Sequence, residues 1–139
     1  MTEPELNATM SAELVVSTAD LASALPLEPQ DTFPNVFATA RLVALMEIAS
    51  ARLLRPSLGS GELSVGVTID ISHTAPTAPG ETVSATARYL GRDGKLFLFE
   101  VVARDGGGEI GRGQHKRAIV SAARMESGAA KRMATKTGN

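Results

Sequence analysis

The stretch from Pro34 to Leu54 constrains most strongly how this chain can fold. It reads PNVFATARLVALMEIASARLL, has no glycine and no proline after its first residue, and is rich in alanine, leucine and methionine. These residues favour helix, and proline suits a first helical turn. Arg55 before Pro56 marks the end. The pattern predicts a helix of about 20 residues, and because apolar residues nearly encircle it, we expect other elements to surround it.

The chain after this helix changes to a period of two, which is typical of β-strands. Val65, Val67, Ile69 and Ile71 alternate with polar residues or glycine, which predicts a strand with one buried face. Three more strands are predicted after it, over residues 83–89, 96–103 and 109–122. A short strand is predicted before the helix, over residues 13–17. Asp93-Gly94 suits a hairpin turn between two of them.

The order of these elements predicts the fold class. Helix and strands are segregated along the chain, as in α+β proteins, and tight turns join the strands. We therefore predict a hot dog fold, in which one long central helix is wrapped by a curved antiparallel sheet of about five strands. Such a sheet has edges and an outer face to cover, so we expect a homodimer. The predicted domain spans residues 12–123, between a flexible terminus, 1–11, and a basic flexible tail, 124–139.

Composition excludes several classes of function. The 139 residues are enough for one core, and the formal net charge of -1 gives no field that attracts nucleic acid. The sequence has no cysteine, so disulfides and thiolate metal sites are excluded. The absence of cysteine is also consistent with a reducing compartment. The N-terminus does not resemble a secretory signal, and no apolar run approaches the ~20 residues of a membrane helix. We expect a soluble, cytoplasmic protein.

Three polar residues stand out because the pattern directs them toward the helix–sheet interface. Glu47 is a lone carboxylate in the most apolar part of the helix, so it is paired, lines a cavity, or reaches solvent at a dimer rim. Thr39 lies two turns earlier, and the simplest interpretation of a mid-helix threonine is a bond to a backbone carbonyl. His73 continues the series of Ile69 and Ile71, where a histidine is more often structural than catalytic. Their coincidence at one interface favours a site.

The last strand adds a second group of candidates. Gly111, Gly113, His115 and Arg117 share one face, and the two glycines leave room for a backbone or a ligand. Arg117 can bind an anionic or carbonyl oxygen, or form an ordinary salt bridge. No spacing of His73, His115 and Glu47 resembles a metal-ligand motif, so we predict no metal.

Three segments together resemble a known family. FPNVFATARLVALMEIAS, SVGVTIDISHTAPTAPGETV and GEIGRGQHKRA are similar to the fluoroacetyl-CoA thioesterase group of hot dog proteins, over residues 33 to 122. The spacing of Thr39, Glu47 and His73 matches the catalytic Thr, Glu and His of that group. The resemblance implies hydrolysis of an acyl-CoA thioester, with no cofactor beyond the coenzyme A of the substrate.

The resemblance also implies a role for each residue. Glu47 would attack the thioester carbonyl or activate water, Thr39 would position and assist, and His73 would transfer protons. The same resemblance implies the substrate-binding residues. Gly66 and Arg117 would face the acyl group, and Phe33 would be an aromatic gate over the acyl pocket.

The match is poor over Ser17 to Thr32, which is shorter here than the apolar lid of the fluoroacetate-specific enzyme. We therefore expect broad activity on short-chain acyl-CoA. The alternatives are a non-catalytic module that binds acyl-CoA, since a fold does not determine function, and an enzyme resembling enoyl-CoA hydratase. The cations of the tail, Arg124, Lys131, Arg132 and Lys136, are either solvated or contact the phosphates of coenzyme A.

Overall fold

A computed structural model describes residues 3–137 and contains five strands and two helices. Short 3₁₀ turns occupy Thr18–Asp20, Ala22–Ala24 and Arg55–Ser57. The strands and helices are β1 (Thr9–Val15), α1 (Thr39–Leu54), β2 (Glu62–His73), β3 (Thr82–Asp93), β4 (Leu96–Asp105), β5 (Gly108–Ser121) and α2 (Ala122–Thr137). All strand pairs are antiparallel, in the order β1-β3-β4-β5-β2. The predicted arrangement, one apolar helix against an antiparallel sheet of five strands, is confirmed.

Helix α1 begins later than the sequence predicts. Residues 34–38 instead run beside the 3₁₀ turns, where the amides of Ala22 and Ser23 donate to the carbonyls of Val36 and Pro34 at 2.8 and 3.1 Å. Ala38 is still extended, with φ -73° and ψ 141°. The prediction that Pro34 starts the helix is therefore wrong, because tertiary hydrogen bonds outweigh the local helical preference. Thr39 is the first helical residue rather than a mid-helix one.

Helix α1 packs one face on the sheet and leaves another open. Its buried residues recur at helical spacing and are Leu42, Leu45, Met46, Ala49, Ser50, Leu53 and Leu54. Alanines of β3, Ala85 and Ala87, are fully buried beneath it and allow the helix to approach closely. On the opposite side Ile48 remains 46% exposed. The expectation that other elements surround the helix is wrong for a single copy of the chain.

Strand β2 is interrupted by a bulge that the alternation did not reveal. Its register with β5 shifts between Gly66 and Thr68, which adds one residue and reverses the faces of the strand beyond it. Ser64 and Gly66 therefore contact residues on the helix side, as His73 does further along. The prediction of one continuous face through Val65 and Ile71 is wrong.

The chain termini are more regular than predicted. Strand β1 begins at Thr9, earlier than the predicted 13–17, and Glu3 accepts hydrogen bonds from Tyr89 and Arg92 at 3.0 and 2.9 Å. The segment predicted as a flexible tail forms helix α2 over Ala122–Thr137. Its cations Arg124, Lys131 and Arg132 are exposed. The domain limits and a role of these cations in binding phosphate stay predictions.

Gly111 and Gly113 of β5 allow the backbone of β2 to approach closely. A Cβ atom at Gly113 would overlap the carbonyl oxygen of Asp70, and one at Gly111 would lie 2.5 Å from the carbonyl oxygen of Ser72. These contacts confirm that the two glycines leave room for another backbone. The backbone in question belongs to the end of β2 that presents His73.

We expect Gly113→Ala to lower the free energy of unfolding by about 1–3 kcal/mol, because the added methyl group overlaps backbone that cannot rotate away. The matched control is Gly106→Ala in the β4–β5 turn, where a Cβ would meet no atom within 4 Å. We expect this control to change stability by less than about 0.5 kcal/mol. Urea unfolding of both variants measures the difference, and equal midpoints would contradict the close approach.

Candidate active site

Thr39 and His73 form a direct hydrogen bond. The Thr39 Oγ1 lies 2.8 Å from the His73 Nδ1. Thr39 is the first residue of α1 and His73 the last residue of β2, so the bond joins the start of the helix to the end of the edge strand. The simpler interpretation of Thr39, a hydroxyl bonded to a carbonyl of its own helix, does not describe this contact.

The second nitrogen of the His73 ring is buried without a hydrogen-bond partner among the described residues. Buried polar atoms in native structures almost always have partners, and an exception commonly marks a functional position. Phe37 packs edge-on against the ring, with centroids 6.5 Å apart. Burial lowers the pKa of His73, and the backbone of Ala75 opposes this effect. The lowered pKa favours the neutral imidazole near neutral pH.

Glu47 belongs to a second polar group, centred on Arg117. The Arg117 Nη1 donates to the Glu47 Oε2 at 2.9 Å, and Nε and Nη2 donate to the Oγ and the carbonyl oxygen of Ser64 at 3.0 and 2.9 Å. The Arg117 side chain is only 7% exposed, whereas that of Glu47 is 39% exposed. The guanidinium therefore holds the carboxylate from its buried side, while the other side of Glu47 stays open to solvent.

Gly66 makes space for this carboxylate. A Cβ at position 66 would overlap the Glu47 Oε2 and lie 3.2 Å from the Cε1 of His115. Any side chain here would require the Glu47 carboxylate to move. Contact of Gly66 and Arg117 with an acyl group stays a prediction, and the contacts of the described residues show both supporting Glu47.

Two cavities open along the less covered side of α1. One, of about 290 Å³, is lined by Phe33, Thr39 and Leu25, together with Ala22, Ala38 and Ala40. The other, of about 200 Å³, lies beside Glu47 and is lined by Val43, Gly66, Val67, Thr68, Ile69 and His115. The first cavity places the predicted gate, Phe33, beside Thr39. The segment with the poor family match contributes Ala22 and Leu25 to its wall.

The structure thus brings together two of the three predicted catalytic residues in one chain. Thr39 touches His73, but Glu47 is eight residues further along α1, about 12 Å along the helix axis, and lines a different cavity. No sequence pattern points to Ser64, because a lone serine in a strand has no distinguishing neighbours. For His115, the sequence indicated only that it lies on the same face of the strand as Arg117. The described residues contain no group of three or more His, Cys, Asp or Glu that could hold a metal ion.

The fold and the site define a hot dog protein with a Thr–His pair and a Glu–Arg pair along its central helix. The sequence model of the fluoroacetyl-CoA-specific thioesterase family matches residues 11–123. The chain belongs to this family. No helix within residues 3–137 is long and apolar enough to cross a membrane.

Similar proteins support this assignment. The fluoroacetyl-CoA thioesterase of Streptantibioticus cattleyicolor is 47% identical over 88 residues, which are 63% of this chain and 63% of that protein. A solved structure of the fluoroacetyl-CoA thioesterase FlK superposes with a TM-score of 0.88 and 35% identity, covering 94% of this chain and 98% of that chain. A thioesterase superfamily member from Thermus thermophilus, 24% identical with a TM-score of 0.87 over 100% of both chains, shares the fold.

The two histidines of the chain should make its stability depend on pH. Burial is the main cause that lowers the pKa of both His73 and His115. The unfolded chain binds protons at the ordinary value of about 6.5, and the folded chain only at lower pH. The free energy of unfolding should therefore be highest above this value and decrease as the pH falls below it.

Urea unfolding between pH 7.5 and 5.5 measures this decrease. We expect His73→Gln and His115→Gln each to make it smaller, because glutamine does not titrate. Since the chain has only two histidines, NMR can follow each ring separately. Titration of either ring at or above pH 6.5 would contradict the expectation.

Proposed function

We propose that this protein hydrolyses the thioester of a short-chain acyl-CoA to the free acid and coenzyme A. The observation on which the proposal rests is the hydrogen bond between the His73 Nδ1 and Thr39, which lines a small cavity, together with the buried His73 Nε2, which has no partner among the described residues. Family membership supports the reaction class, and one solved relative is a variant of FlK in complex with fluoroacetate and CoA. That relative is 35% identical to this chain.

The cavity beside Thr39 favours a small acyl group. Its volume of about 290 Å³ is at or below the lower end of the range for drug-sized ligands, about 300–1,000 Å³. Phe33 and Leu25 give it an apolar wall, and both remain partly exposed, at 49% and 37%. The acyl group would occupy this cavity, and the coenzyme A portion would extend to solvent.

The reaction needs an attacking oxygen and a proton for the leaving sulfur. The Glu47 carboxylate either attacks the thioester carbonyl carbon or takes a proton from the water that attacks it. The C–S bond breaks, and the thiolate receives the proton that the attacking water releases. His73 relays this proton by gaining and then losing one proton at Nε2, so that the ring ends neutral, as it began. Thr39 holds the imidazole through Nδ1 and so limits the orientations that the ring can take. In both routes the net reaction consumes one water and needs no redox step.

A homodimer would complete this site. Strand β2 lies at the edge of the sheet, and Leu63, Val67 and Ile69 on it are 55%, 51% and 39% exposed. An antiparallel pair of β2 strands with its two-fold axis between Gly66 and His73 would bring Val67 and Ile69 against the partner strand. Because Glu47 lies over Gly66, the axis would bring Glu47 of one copy toward His73 of the other. The predicted cytoplasmic location stays a prediction.

Turnover of a panel of short acyl-CoA thioesters tests the reaction. We expect Glu47→Gln and His73→Ala each to lower kcat/KM by about 10² or more, because both groups act in the transition state. Glu13→Gln on the exposed side of β1 is the control and should match wild type. The pair fluoroacetyl-CoA and acetyl-CoA measures selectivity for fluorine. Tight binding without turnover would support a binding module, and hydration of crotonyl-CoA would support a hydratase.

Mixing two inactive variants tests whether the site is shared between copies. If Glu47 of one copy acts with His73 of the other, a dimer of Glu47→Gln with His73→Ala contains one intact site. Random exchange of subunits should then restore about one quarter of the wild-type rate. No recovery, although mass spectrometry shows mixed dimers, would mean that each site uses one chain only.

A further inference from the structure

His115 is the one histidine that the proposed reaction does not use. It lies in β5, is 1% exposed, and pairs in register with Ile69 of β2 and Phe99 of β4. A buried imidazole is costly unless both ring nitrogens have partners. The partners that His115 has connect it to Glu47.

The hydrogen bonds of His115 determine which nitrogen holds the proton. The Arg117 Nη1 lies 3.1 Å from Nε2, and a guanidinium can only donate, so Nε2 accepts and bears no proton. Nδ1 lies 2.7 Å from the carbonyl oxygen of Thr68, which can only accept, so Nδ1 donates. His115 is therefore neutral and protonated at Nδ1. A second proton on Nε2 would make this nitrogen a donor that faces another donor, the Arg117 Nη1.

The bulge in β2 and Gly66 both lie at this contact. The register shift between Gly66 and Thr68 occurs where the Thr68 carbonyl meets the ring. A side chain at Gly66 would press against both the His115 Cε1 and the Glu47 Oε2. The sheet is thus shaped at this point around one imidazole and one carboxylate.

The Arg117 Nη1 is shared by His115 and Glu47. One of its hydrogens goes to the His115 Nε2 and the other to the Glu47 Oε2, while Ser64 binds Nε and Nη2. Because the guanidinium is planar, His115 and Ser64 together fix the direction in which Nη1 presents its second hydrogen. Without the ring, the same end of the guanidinium would have only the half-exposed carboxylate to orient it.

We propose that His115 is the positioning residue that orients Arg117 and, through it, Glu47, and that it acts only in its neutral form. This inference rests on the proposed function of Glu47. Protonation of His115 would push Nη1 away, release the carboxylate and stop the reaction on the acid side.

The surroundings of His115 support the neutral form. The charged groups that face it are Arg117 from its own strand and Glu47 from α1; its register partners on β2 and β4, Ile69 and Phe99, are apolar. Burial is the largest cause that lowers the pKa of His115, and Arg117 acts in the same direction. The Thr68 carbonyl and Glu47 oppose them.

Two substitutions separate positioning from simple packing. Glutamine can donate to Thr68 and accept from Arg117 without titrating, whereas leucine fills space without polar atoms. We expect His115→Leu to lower kcat at least tenfold with little change in KM, and His115→Gln to recover most of that loss. Equal kcat in the leucine variant and wild type would overturn the proposal. Combining His115→Leu with Arg117→Met should cost no more than Arg117→Met alone, and additive losses would overturn it as well.

The pH profile gives a readout that a structural role would not change. On the acid side, the limiting slope of log kcat/KM should be larger by one in wild type than in His115→Gln, because the variant lacks one group that must lose its proton. Equal slopes would overturn the requirement for a neutral ring.

NMR of ¹⁵N-labelled imidazoles tests the geometry without any turnover. We expect His115 to be protonated at Nδ1 at neutral pH and to lose this state only below pH 6.5. Protonation at Nε2 would overturn the proposal even in an active enzyme. If wild type hydrolyses no acyl-CoA while Nδ1 bears the proton, the proposed function fails and the bond from Arg117 to His115 stands.

Discussion

The buried guanidinium of Arg117 is the constraint on which the candidate site depends. A charge removed from water is costly unless nearly all of its donors are bound. Here Ser64 of β2, Glu47 of α1 and His115 of β5 bind it. The guanidinium therefore joins the central helix to the edge of the sheet, and the position of the carboxylate follows from satisfying the buried cation.

The open side of α1 and the exposed edge of β2 have one explanation in the proposed function. A single copy leaves Ile48, Leu63 and Val67 about half exposed, and it holds Glu47 away from the Thr39–His73 pair. A second copy across β2 would cover apolar surface and add a carboxylate at the same time. Stability of the dimer and completion of the site would then have the same cause, so a substitution that weakens association would also lower activity.

The sequence was sufficient where local chemistry decides the structure. The body of α1 and the shared face of Gly111 to Arg117 depend on helix propensity and strand alternation. The hairpin between β3 and β4 was also predicted, but its two turn residues are Gly94 and Lys95 rather than Asp93 and Gly94, because Asp93 pairs with Leu96 at the end of the strands. The start of α1 depends on hydrogen bonds between residues 34–38 and the turns around Ala22, which no local pattern reports. The bulge at Val67 was hidden because valine and isoleucine alternate smoothly through it. The family resemblance identified the candidate residues, but the contacts of Arg117 with Glu47 and His115 join three elements that are distant in the sequence, so no local pattern indicates them.

The bulge in β2 also determines how the protein tolerates changes in length. Gly66 and His73 both face the helix although one number is even and the other odd. The extra residue of the bulge between them shifts the alternation of faces by one position. Deleting or inserting a residue in this stretch would rotate either the glycine or the histidine to the outer surface, while every side chain kept its chemical identity. The interval of seven positions is thus as strict a requirement as the residues at its two ends.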